Sequence, residues 1–215
     1  MDLILFGMQG AGKGTIGKAI AEKYNLQIFE TGGALRALSQ EDSELARKVK
    51  SIIEVGHLVP NDVVMEIVEN FLSKLPQGTN ILFDGIPRKV EQAESLNALL
   101  KKNGRAYRAV LLDISEETAL KRLTTRRICK VCKTIYPADF TGEKCTALIN
   151  GATCNGELIT RSDDNPEAIL TRLKAFRDET LPAMELYKDG MIKINGEANI
   201  EEVEKLAFEE LDKIL

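Results

Sequence analysis

The stretch Gly7-Met-Gln-Gly-Ala-Gly-Lys-Gly-Thr15 follows the apolar run Leu3–Phe6 directly. Four glycines among nine residues cost backbone entropy, so the turn must exist for something other than chain economy. A glycine-rich turn between a strand and a helix points its backbone N–H groups inward, which suits an anion. Gly7-x-x-x-x-Gly12-Lys13 fits the phosphate-loop pattern as far as the lysine. That fit fixes a strand before the loop and a helix after it. In the pattern the next residue is Ser or Thr, whose hydroxyl binds Mg²⁺; here it is Gly14, with Thr15 one position later. The ion would have to lean on the phosphates, on water and on another carboxylate.

The remaining chain repeats the strand-then-helix rhythm. Leu3–Phe6, Leu26–Glu30, Asn80–Asp84, Arg108–Ile114 and Met191–Asn195 read as strands, mostly apolar throughout, as strands buried on both faces are. Helical spacing links Ile16, Ile20 and Tyr24, then Val49, Ile52 and Ile53, then Val64, Val68 and Phe71, then Ala93, Leu96 and Leu100. Asn165-Pro166 caps a helix through Leu173 and Phe176, and Val203, Leu206 and Leu211 mark the last one. This alternation predicts an α/β fold: a doubly wound five-stranded parallel sheet with helices on both faces. Two stretches interrupt it. The expected division is a core of 1–30, 61–127 and 161–215, a helical insertion at 31–60 and a cysteine-bearing lid at 128–160.

Composition narrows the class. The chain has 215 residues, is 44% hydrophobic and carries a net charge of −4. One principal domain is expected, and the acidic balance argues against a general nucleic-acid binder. The start, MDLILFGM, has no basic segment and no long apolar stretch, so no signal peptide is read there, and no run approaches a membrane span. A cytoplasmic protein is expected. Its four cysteines, Cys129, Cys132, Cys145 and Cys154, sit in one segment and read as metal before disulfide. Cys129-x2-Cys132 has zinc-knuckle spacing. The second half is irregular, with eight residues between Cys145 and Cys154. A structural four-cysteine Zn²⁺ is the main reading; two free pairs, or a site completed by Asp139 or water, stay open. Such a metal would stiffen a small lid with little core of its own.

The Gly-Lys-Gly-Thr form of the loop resembles the nucleoside monophosphate kinases, the adenylate kinase family above all. Glu30–Arg36 (ETGGALR), Gly56–Asn61 (GHLVPN) and Phe83–Ala93 (FDGIPRKVEQA) resemble that family's monophosphate-binding segments, which read TGDxLR, GxLVxD and DGFPRxxxQA. CNGELITR, from Cys154 to Arg161, resembles the end of the family's zinc lid, CGGxLxxR, and puts Cys154 on a ligand position. The resemblance implies phosphoryl transfer from MgATP to AMP, giving two ADP, with no nucleic acid or membrane involved. A monomer is expected.

By the same resemblance Gly10, Ala11, Gly12, Lys13, Gly14 and Thr15 cradle ATP, with Arg122 and Arg126 on the same side. Thr31, Gly32, Arg36, Arg88 and Gln92 hold AMP, framed by the backbone of His57, Leu58, Val59 and Gly85. Gln92 offers a donor and an acceptor to the adenine edge. Lys13, Arg88, Arg126, Arg161 and Arg172 surround the transferring phosphoryl group, with Arg161 and Arg172 also on the AMP side. Asp84, at the carboxyl end of its strand, is the candidate for Mg²⁺ through water. Asp163 and Asp164 would orient the arginines, Asp113 is read as structural, and Arg127 fits a solvated helix end as well as a site. Gly33 stands where the family has an acid and Ile86 where it has an aromatic; both are expected to touch the acceptor pocket. The rival readings are a kinase for UMP or CMP, a slow regulatory nucleotide switch, and a zinc-ribbon nucleic-acid module.

Overall fold

A computed structural model describes residues 1–136, 140–161 and 164–215. The first strand, β1 (Asp2–Gly7), is buried along its length. It runs through the glycine loop into α1 (Lys13–Tyr24), β2 (Gln27–Glu30), α2 (Thr31–Leu38), α3 (Glu44–Glu54) and α4 (Asn61–Ser73). Then come β3 (Ile81–Asp84), α5 (Val90–Lys102), β4 (Tyr107–Asp113) and α6 (Glu116–Thr124). Five short strands follow: β5 (Arg127–Cys129), β6 (Ile135–Tyr136), β7 (Leu148–Ile149), β8 (Ala152–Thr153) and β9 (Leu158–Ile159). The chain closes with α7 (Pro166–Ala175), α8 (Leu181–Met184), β10 (Ile192–Asn195) and α9 (Ile200–Leu211). All five expected core strands are present, their ends shifted by a residue or so.

The main sheet has the order β10-β4-β1-β3-β2, with every neighbouring pair parallel. β1 is central, and its neighbours β3 and β4 follow crossovers on opposite sides of it. The carboxyl ends of β1 and β3 therefore open at a switch point, where parallel sheets bind ligands. One face of the sheet buries Ile4, Phe6, Phe29 and Phe83 against Leu96, Leu100 and Tyr187. The other buries Leu3, Leu5 and Leu112 against Ile16, Ile20, Ile169 and Leu211. Each such side chain contributes roughly 1.5–3 kcal/mol of burial. The continuous apolar runs have this origin, since both faces are covered.

At the amino end of the sheet, the buried carboxylate of Asp2 accepts from the Arg105 guanidinium at 2.6 and 2.7 Å and from the Ile81 N–H at 2.9 Å. It ties β1, β3 and the loop before β4 together, far from the carboxyl ends. α6 shows no clear helical spacing in the sequence; it is capped by Ser115, whose hydroxyl accepts from the Thr118 N–H. α7 does not run straight to Phe176 and beyond: the chain passes through a π turn at Phe176–Thr180 before α8.

The two interruptions are as different as their sequences. Residues 31–60 carry α2 and α3 and no strand. The cysteine segment is a three-stranded antiparallel sheet, β6-β5-β9, with β7 and β8 as a separate hairpin. Its first strand begins at Arg127, one residue before the expected boundary. Arg127 is not a solvated helix end: its guanidinium donates to the carbonyls of Gly142 and Phe140 and lies over the Phe140 ring.

Candidate active site

The loop after β1 is built by its glycines. Gly12 caps α1 with φ near +89°, a left-handed conformation that a side chain strains. A Cβ on Gly10 would stand 2.9 Å from the Ala119 carbonyl of α6. Lys13, the first residue of α1, folds back and donates to the carbonyls of Gly7 at 2.7 Å and Met8 at 3.1 Å. Burial pushes its ammonium from 10.5 down to about 8, against the pull of Asp84. Asp84 ends β3, in register with Leu5 of β1 and Glu30 of β2. Burial raises its carboxyl above the usual carboxylate range; Lys13 opposes this and Glu30 adds to it.

On the far side, Arg88 is half-buried, and the loss of solvation lowers the pKa of its guanidinium. Its Nε donates to the Gly85 carbonyl at 2.9 Å, and its backbone N–H donates to Gln92 Oε1 at 2.9 Å. Gln92 is itself buried. Its acceptor is thus already engaged at the start of α5, leaving one lone pair and the amide N–H₂. Arg36 pairs with Glu30. The third group of cations gathers on one carboxylate. Asp164, whose side chain is fully buried, accepts from Arg126 at 2.8 and 2.5 Å and from Arg172 at 2.8 Å. Two guanidiniums on one carboxylate leave a net positive charge facing the cleft. Asp163 and Asp139 lie outside the described residues.

These elements enclose one cleft of about 990 Å³. Every nucleotide candidate read from the sequence lines it: residues 10–15, Thr31, Gly32, Arg36, His57–Val59, Asp84, Gly85, Arg88, Gln92, Arg122, Arg126, Arg161 and Arg172. Asp113 does not line it, in keeping with a structural part. Ile86 also does not, contrary to expectation: it is buried in the core with Phe83 and Leu96. Gly33 lies outside the cleft lining as well, beside Glu30. The side chain of His57 is exposed.

Sequence reading missed three polar parts of the wall, besides apolar residues such as Leu35, Ile53, Val64 and Ile135. Glu30 is one. Thr118, Lys121 and Thr125 of α6 and its end are another, and Gly196–Glu201 after β10 is the third. Arg122 links the last two to the loop, donating to the carbonyls of Gly10, Glu197 and Ala198 at 3.2–3.4 Å. Gly196 follows the carboxyl end of a parallel strand, and that position was the one available signal.

The adenylate kinase family model matches residues 5–192. The chain belongs to the adenylate kinase family. It is 38% identical to the adenylate kinase of Kosmotoga olearia, over the whole of both chains. It is 37% identical to that of Bacillus subtilis (strain 168), over 94% of each, and 35% identical to that of Fervidobacterium nodosum, over 97% of this chain and 96% of the relative. Adenylate kinases transfer the terminal phosphoryl group of MgATP to AMP, and this chain is an enzyme of that kind. Its α/β sheet is that of the phosphate-loop nucleoside monophosphate kinases.

Apart from the cleft, the four cysteine sulfurs lie within 4.8 Å of one another, with Cys129–Cys154 at 3.7 Å and Cys132–Cys145 at 3.3 Å. A zinc ion with four bonds of about 2.3 Å sets its sulfurs roughly 3.8 Å apart. The cluster is compatible with structural zinc. The Cys132 N–H points at Cys129 Sγ, and the Tyr136 hydroxyl donates to Cys145 Sγ at 3.1 Å. Gly156 is needed for space, because a Cβ there would stand 2.6 Å from Cys129 Sγ. The irregular spacing has a local cause. Cys154 returns to Ala147 through its N–H, and Asn155 returns to Cys145, so residues 148–153 loop out as the β7–β8 hairpin.

Proposed function

We propose that the two ends of this cleft hold the two nucleotides tail to tail, ATP on the loop side and AMP on the Arg88 side. The observation that carries this is geometric: Lys13 of the loop, Asp84, Arg88, Arg126 and Arg172 all line one cleft between the two ends. Residues 10–15 would cradle the ATP phosphates, with Arg122 and Arg126 above them. Thr31, Gly32, Arg36, Arg88 and Gln92 would hold AMP, with the backbone of His57–Val59 and Gly85 around the base. The Thr31 hydroxyl is buried and has no hydrogen-bond partner among the described residues, which a bound nucleotide would supply. Arg161 and Arg172 would complete the positive ring. Transfer of this kind needs placement and positive charge rather than a strong base.

Mg²⁺ would sit beside Asp84. Gln9 Oε1, buried at the mouth of the loop and without a partner among the described residues, is an acceptor suited to its water shell. Magnesium supplies charge neutralisation on the phosphates, and Asp84 would hold it through water because Gly14 offers no hydroxyl. Cys129, Cys132, Cys145 and Cys154 would hold Zn²⁺ structurally, with no open position for catalysis.

The division into a core of 1–30, 61–127 and 161–215, an acceptor-binding insertion of 31–60 and a lid of 128–160 goes with this reading. Both excursions flank the cleft: a Cβ on Gly14 would stand 3.7 Å from Ile135 of the lid. Their closure would exclude water, which otherwise takes the phosphoryl group. We read the chain as a cytoplasmic monomer that acts on nucleotides and not on nucleic acid. Its net charge supports the last point, and no helix among the described residues is long and apolar enough to cross a membrane.

Turnover with AMP, UMP, CMP and GMP tests the site. AMP is expected to be the best acceptor by a wide margin, and Arg88→Ala to lose about 10³-fold in rate while still binding ATP. Equal use of UMP, or an Arg88→Ala protein with full turnover, would contradict the assignment.

A further inference from the structure

The pair between Glu30 and Arg36 is unexplained by anything above. Glu30 ends β2 and Arg36 lies on α2, and both line the cleft. Glu30 Oε1 accepts from Arg36 Nη2 at 2.8 Å. The pair has space because of the two glycines between its members. A Cβ on Gly33 would stand 2.8 Å from Glu30 Oε2, and one on Gly32 would stand 3.0 Å from Arg36 Nη1. The place where an acid on residue 33 would begin is thus already filled by the acid of residue 30.

We propose that Glu30 is a positioning residue for the acceptor phosphate: it steadies the Arg36 guanidinium, in the space that Gly33 leaves open. This rests on the reading of Arg36 as a ligand of AMP. The side chains are 36% and 49% exposed, so the pair adds little to the stability of the fold. Its effect is on orientation. A fork that is already aimed loses less freedom on binding a phosphate. Glu30 does not reverse the sign of the pocket, because its field also falls on Arg88 and both cations outweigh it.

The test is steady-state kinetics on Glu30→Gln, Glu30→Ser, Gly33→Asp, the double variant Glu30→Ser/Gly33→Asp, and Arg36→Gln. Glu30→Gln is expected to raise KM for AMP about fivefold to tenfold, the size of one charge-assisted contact. Its KM for ATP and its kcat should stay within about twofold. Gly33→Asp alone should also raise KM for AMP, because its Cβ meets Oε2 and two carboxylates then crowd one guanidinium. In the double variant the carboxylate has moved rather than doubled, so KM for AMP should recover most of the loss seen in Glu30→Ser. A purely structural part for Glu30 would not give that recovery. The proposal is overturned if Arg36→Gln raises KM for AMP while Glu30→Gln leaves it unchanged or lowers it, or if the two single effects merely add. If Arg36→Gln leaves KM for AMP unmoved, the acceptor reading of Arg36 falls, and this proposal with it.

Discussion

Lys13 is held by two carbonyls of its own loop, and no carboxylate pairs with it directly among the described residues. Burial brings its ammonium to about 8, so above that pH the empty site holds it increasingly neutral. Phosphate oxygens favour the charged form and should raise the value again. ATP binding at pH 8.5 is therefore expected to take up a fraction of a proton per chain. Calorimetric titration in two buffers of different ionisation heat measures it, and Lys13→Met should abolish it. Binding heats independent of buffer would show that Lys13 is already fully charged. Residues such as Lys13, Arg88 and Gln92 were legible because each sits at a fixed offset from a glycine or proline that shapes the turn. Glu30 was not, since its importance depends on the absence of side chains at Gly32 and Gly33. Ile86 was misplaced for a related reason: a motif position gives distance along the chain, not the face on which the side chain falls, and Ile86 falls inward.

Among the elements, the cysteine segment is a small sheet around only a few buried side chains. Among the described residues its buried set is Cys129, Tyr136 and Cys145, with Phe140, Ala147 and Leu158 half-buried around them. Such a cluster is small for three strands, and a zinc ion, with which the four cysteines are compatible, would add to the order when bound. About one zinc per chain is expected in purified protein, and Cys154→Ala should lose it and expose residues 128–160 to protease. Gly156→Ala, which crowds Cys129 Sγ, should weaken zinc retention against a chelator. A metal-free protein with four titratable thiols and a protease-resistant lid would contradict this. The core strands were readable because burial on both faces leaves them apolar throughout. The strands of the cysteine segment were not, because at two or three residues each they are too short to show a period. Asn150-Gly151 was a readable hairpin signal: both residues have positive φ, and the turn they form explains the eight-residue gap between the cysteines.

At the scale of the molecule, the sheet order brings the loop after β1, Asp84 after β3 and the segment after β10 to a single edge, and the two excursions flank it. Strand and helix alternation predicts that edge, but it does not say which loops beyond the motifs reach it, as Gly196–Glu201 did. Two nucleotides held in one cleft, as proposed, would make transfer, and not hydrolysis, the outcome. The most direct test follows ATP consumption at fixed MgATP while AMP is raised from zero, with ADP and inorganic phosphate both measured. The account predicts almost no consumption without AMP, a saturating rise with it, two ADP for each ATP used, and no phosphate released. ATP consumed at the same rate with and without AMP, with phosphate as the product, would contradict it.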